Sequence, residues 1–119
     1  MEFDTFVVAR LLSGPTPPEL TEDQERELQD AHLAHIADMW ASGKLIAAGP
    51  ASGTEGLRGV SIFSCSREEA QTLAESDPAV LNGTFVLDYA VWRAPRAMIV
   101  PGAGVPPRSV AEVMGPDAP

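Results

Sequence analysis

Cysteine is nearly absent: the single Cys65 excludes an intrachain disulfide and any cysteine-rich metal site. It ends a strand-like run, where a lone thiol reads as an inert core residue. Basic residues are few, eight Lys and Arg against 17 Asp and Glu, and they form no run. Binding a phosphate backbone requires clustered cations to displace counterions, so no nucleic-acid partner is expected. The net charge of −9 reads instead as a solubility device. Apolar runs are short, none approaching the roughly 18–20 residues that span a bilayer, so no membrane role is expected. The opening MEFDTFVV has acids where a secretory signal has bases, so a soluble cytoplasmic protein is expected. The glycine-rich stretch SGTEGLRG (52–59) lacks the lysine and spacing of a phosphate-binding loop. With no nucleotide, flavin or metal motif, no cofactor is expected.

What is present is enough for one domain: 119 residues, 45% of them hydrophobic. FDTFVVARLL (3–12) is apolar at both parities, which predicts a strand covered on both faces. After a proline-fixed loop, Thr21 and Gln24 form a capping-box pattern that starts a helix running to about Ser42. Gly43 is then expected in the left-handed conformation that stops it. KLIAAGPA (44–51) and VSIFSC (60–65) read as the second and third strands. Ser66 caps a second helix, REEAQTLAES, which Asp77-Pro78 breaks, with AVLNG as a short turn. TFVLDYAVWR (84–93) is a fourth strand, again apolar on both faces.

The order β-α-β-β-α-β predicts an α+β, ferredoxin-like split βαβ fold, an antiparallel four-stranded sheet with both helices on one face. Two helices leave the other face bare, although the first and last strands are apolar on both. A homodimer with sheets packed face to face is the simplest cover. Residues 1–95 are expected to form this domain. Residues 96–119, rich in proline and glycine, are a tail in which SVAEVM (109–114) suits one helical turn.

The stretch Ala31–Pro50 holds both histidines, one tryptophan, the helix stop and the next strand. At roughly 100° per residue, Leu28, Leu33, Ile36, Met39 and Trp40 cover one arc, with His32 inside it. His35 falls at the arc's edge, read as a surface residue paired with Asp38. A metal site on His32 and His35 lacks a third ligand, so none is expected.

The run H-L-A-x-I-(six residues)-G-K-L-x-x-A-G-P, here His32 to Pro50, resembles the YCII-related (YciI-like) family. So does S-x-E-E-A followed by D-P-A-V-x-x-G, here Ser66 to Gly83, and the strand ending in Trp92-Arg93. The similarity extends over about residues 3–95. It implies a dimeric α/β barrel with a cleft in each subunit and a histidine–aspartate pair for proton transfer. Those positions match His32 and Asp77. The family is related to muconolactone-isomerase-like and cofactor-independent monooxygenase-like barrels. One family activity is dehydrochlorination of a chlorinated hydroxyquinol, and most members have no assigned reaction. The arginine that often precedes the family histidine has no clear match: Arg26 is six residues upstream, and Gln29 and Asp30 stand nearer.

An imidazole, with its ordinary pKa near ~6.5, takes and returns protons at working pH, and a carboxylate on one ring nitrogen orients it. The plain alternative makes His32 a satisfied core histidine and Asp77 a turn residue before proline. His32 lies mid-helix, so topology allows the contact with Asp77 without requiring it. Arg10, Trp40, Ser64, Asp88 and Tyr89 are the candidate substrate contacts. Asp88, an acid in a two-sided strand, fits either a dimer contact or a cleft wall, and Trp40 also fits a core role. Ser64 lacks the setting of a hydrolase nucleophile. The expected function is acid–base elimination, isomerisation or cyclisation on a small, partly apolar oxygenated or cyclic metabolite, of aromatic catabolism or secondary metabolism. The rival is a non-catalytic barrel that binds a small molecule or assists a partner enzyme.

Overall fold

A computed structural model describes residues 1–115 of the chain. The strands are β1 (Phe3–Ser13), β2 (Leu45–Pro50), β3 (Leu57–Phe63) and β4 (Phe85–Pro95). The helices are α1 (Glu22–Ala41), α2 (Arg67–Glu75), α3 (Pro78–Leu81) and α4 (Val110–Met114). The strands form one antiparallel sheet in the order β2-β3-β1-β4. The α+β class and the β-α-β-β-α-β order expected from the sequence are both present, with α3 and α4 as short additions.

Local chemistry accounts for the boundaries. Thr21 and Gln24 exchange both capping-box bonds at the start of α1, and Gly43, at φ 81°, follows its end. Ser66 caps α2 by accepting from the Glu69 amide. The segment after Asp77-Pro78 is not a plain turn but α3, since proline suits the first turn of a helix and Asp77 caps it. β3 begins at Leu57, not Val60, because an irregularity between Leu11 and Leu12 lets Leu57 pair opposite Leu12. Arg58 and Gly59 therefore belong to the sheet.

The two faces of the sheet differ. On one, Val7 and Ala9 of β1, Leu45 of β2 and Phe63 of β3 pack with Met39 of α1 and with Ala70 and Ala74 of α2. Alanines at the contact let α2 sit close to the sheet, and Phe63 is fully buried. The opposite face is formed by Phe6, Val8, Arg10 and Leu12 of β1, facing Val60 and Ile62 of β3 and Val86, Asp88, Ala90 and Trp92 of β4. Val86 and Trp92 remain 41% and 43% exposed there. Phe6 is buried beside the Trp92 ring, with ring centroids 6.2 Å apart.

Beyond β4 the chain turns back. Arg96 pairs with Glu2, and the Ala97 amide donates to Asp4 at 2.9 Å. The turn expected at 109–114 is α4, capped by Ser109, while the expectation for residues 116–119 lies outside the described residues. No helix among the described residues is long and apolar enough to cross a membrane.

Phe63→Ala should cost about 3–5 kcal/mol, the range for emptying a fully packed phenyl site. Urea unfolding checks this as a lower midpoint with an unchanged denaturant slope.

Candidate functional site

The site begins with the helix that carries His32. Ten residues into α1, His32 points inward and is 8% exposed. Its Nδ1 lies 2.5 Å from Oδ2 of Asp77, itself 3% exposed. The other carboxylate oxygen, Oδ1, accepts the Ala79 amide at 2.9 Å, which is the cap of α3. Both carboxylate oxygens are thus engaged, as a buried acid requires. The carboxylate accepts here, so Nδ1 donates, and in the neutral imidazole the lone pair is then on Nε2. The Phe85 ring, tilted by 58° with centroids 5.5 Å apart, packs against the imidazole. Nε2 has no hydrogen-bond partner among the described residues.

His32 lines a cleft of about 710 Å³ between α1 and the β2–β3 side of the sheet, a size typical of small-molecule sites. Small residues make the room: Ala48 of β2 and Gly59 and Ser61 of β3 lie beneath α1 where larger side chains would fill it. Leu33, Ile36 and Trp40 form the helix wall, and Leu11 and Phe85 close it toward β1 and β4. Polar groups are sparse. Gln29, Arg58 and the 6% exposed Ser61 join His32 along an otherwise apolar lining.

Of the residues singled out from sequence, His32, Asp77 and Trp40 come together here. Arg10 and Asp88 lie on the opposite face of the sheet, as a bidentate ion pair at 2.9 and 2.5 Å. The Arg10 guanidinium holds the Asp88 carboxyl below the usual carboxylate range. The Ser64 hydroxyl donates to the Gly43 carbonyl at 3.2 Å, bracing the turn between α1 and β2. Tyr89 packs between β4 and α2, its hydroxyl 3.4 Å from Glu75 and its ring under the Arg67 guanidinium at 5.5 Å. His35 is half-buried, donating from Nε2 to the Leu73 carbonyl at 2.8 Å and so joining α1 to α2. Its expected partner Asp38 binds Arg108 of the tail instead, at 3.0 Å. The Cys65 thiol is pushed up by burial, in keeping with an inert role.

Ser61, Phe85 and the tail were not singled out. Ser61 had a signal: it is the polar residue sharing a parity with Phe63 in VSIF. Phe85 had none beyond its place after the Asn82-Gly83 stop. The tail's Gly104–Pro107 and Val113 line the cleft, and composition alone could not place them.

The YCII-related domain model matches residues 10–94, well over half of the chain. The chain belongs to the YCII-related domain family. No curated protein is similar enough to the chain to match it. The YCII-related region contains both His32 and Asp77, whereas the tail segments that line the cleft lie outside it.

Tyr89 provides a pH test of the packing beside the site. Burial first, and then the Glu75 carboxylate and its hydrogen bond, push the phenol up to about 12. An unfolded tyrosine ionises near ~10, so between the two values unfolding releases a proton and stability falls as pH rises. Below that window the contribution is fully present. Tyr89 is the only tyrosine in the chain, so an ultraviolet titration reads it alone. Its midpoint should lie near 12 and move part of the way down in Glu75→Gln.

Proposed function

We propose that the protein is a small cofactor-independent enzyme in which His32 is general base and then general acid, oriented by Asp77. The observation that carries this reading is a buried, carboxylate-held imidazole at an apolar cleft, its Nε2 without a partner among the described residues. Nε2 takes a proton from an acidic C–H or O–H of the substrate, and Asp77 stabilises the imidazolium that forms. The imidazolium returns the proton at another carbon, or to the oxygen or halide that leaves. Isomerisation, cyclisation and elimination all close on those two transfers, with no electrons exchanged with a cofactor. The apolar walls fit a small, partly apolar oxygenated or cyclic molecule, and Ser61, Gln29 and Arg58 are polar groups available to its oxygens.

Asp77→Asn is the informative variant. The remaining side-chain oxygen can still accept the Ala79 amide, so α3 keeps its cap. The new amide donates toward Nδ1, however, and moves the ring proton to Nε2, which removes the base. Turnover should fall by about 10²–10⁴-fold in both Asp77→Asn and His32→Gln, with circular dichroism and thermal unfolding showing a native fold. The sparse polar lining also favours a second reading, a binding module without chemistry. Retained ligand affinity in His32→Gln, with no turnover found in the unmodified protein, would select that reading.

The assembly proposed with this function is a homodimer joined through the helix-free sheet face. Val8, Ile62, Val86 and Trp92 are the apolar surface that supports it, with the Arg10–Asp88 pair as the polar contact at its middle. Sedimentation should give the mass of two chains, and Trp92→Glu should give that of one.

A further inference from the structure

The chain beyond β4 meets α1 at two points. The Arg108 guanidinium binds Asp38, with its nitrogens 3.0 and 3.1 Å from Oδ1, and the Val110 amide donates to Oδ1 of Asp30 at 2.8 Å. Those two acids lie roughly two helical turns apart, so the tail is clasped along the helix rather than touching it once. Around these clasps, Val105, Pro106, Pro107 and Val113 line the cleft that holds His32.

Arg108 and Glu112 of the tail are not among the residues that line that cleft. Arg108 is engaged by Asp38, and Glu112 accepts the amide of Arg108 itself at 2.6 Å. What it offers the cleft is hydrocarbon. Yet Val105 and Val113 remain 74% and 58% exposed. Apolar surface left wet at the rim of an apolar cleft gains by being covered. Pro106 and Pro107 restrict the backbone there, which lowers the entropy lost when the segment settles on a ligand.

We propose that the segment Gly104–Met114 is a lid on the cleft, clasped to α1 through Asp38 and Asp30, which selects ligands with an uncharged, apolar body. The lid lies outside the span of the YCII-related domain, so its selectivity is a property of this chain's own tail. The inference rests on the reading of the cleft as a ligand site. Access to the cleft can be measured without ligand or turnover, so the lid and the proposed chemistry fail separately.

Trp40, in the cleft wall two residues after Asp38, reports on access. In a Trp92→Phe background it is the only tryptophan. The side chains of Asp38 and Arg108 are 69% and 55% exposed, so reversing their charges leaves the core untouched. Arg108→Glu should raise acrylamide quenching of Trp40 about twofold to fivefold, the reach of an exposed pair turned from attraction to repulsion. The swap Asp38→Arg with Arg108→Glu should restore protection. Unchanged quenching in Arg108→Glu, and also when Asp30→Ala is added, would overturn the lid. For the ligand class, the uncharged probe N-phenyl-1-naphthylamine should bind the full chain, and Val105→Asp with Val113→Asp should weaken it at least about fivefold. No binding to the full chain, or equal binding to the variant, would overturn the apolar selectivity.

Discussion

A buried hydrogen bond between His32 and Asp77 ties the first helix to the turn after the second, and the site depends on it. Burying either partner alone is costly, because each would lose its water without replacement. Together they satisfy one another, and the second carboxylate oxygen is satisfied by the amide that starts α3. The same aspartate therefore caps a helix, orients an imidazole and fixes where the helix carrying that imidazole sits. His35, three residues on, makes a parallel tie to the Leu73 carbonyl of α2. Two histidines on one helix thus hold it against the following layer, but only His32 also faces the cleft.

The cleft is a consequence of small residues placed opposite that tie. Ala48, Gly59 and Ser61 leave volume under α1 at one end of the sheet, while Phe63, Leu45 and Met39 fill the space at the other. One continuous helix can then serve as packing surface and as cleft wall. Trp40 stands where the two meet, packed against the core and lining the cleft. The sheet's other face has a different logic, an ion pair set among aliphatic and aromatic side chains.

Much of the fold was legible because its signals are local. Thr21 with Gln24, Gly43, Ser66 and Asp77-Pro78 mark helix ends through bonds made within a few residues of themselves. The structure departs from the local pattern where pairing between strands overrides it. β3 starts at Leu57 because a partner across the sheet was available, and no property of Leu57 or Arg58 announces that. Of the candidate site, His32 was legible from its helical phase and Asp77 from the motif it sits in. Arg10, Asp88, Ser64 and Tyr89 are chemically suitable residues, but parity along a strand does not tell which face becomes a cleft. The structure distributes them between the sheet's open face, a turn and a helix contact.

The sequence alone determined the element order, the helix caps, the inward phase of His32 and the two-sided strands, since each follows from spacing along the chain. Tertiary structure alone decided that Nδ1 of His32 meets Asp77, 45 residues away. It also decided that Ser61 and Phe85 join the cleft, and that residues of the proline-rich tail line it. These contacts depend on distances between elements, which are set by how small residues let helices and sheet approach. No periodicity within a single element carries that information.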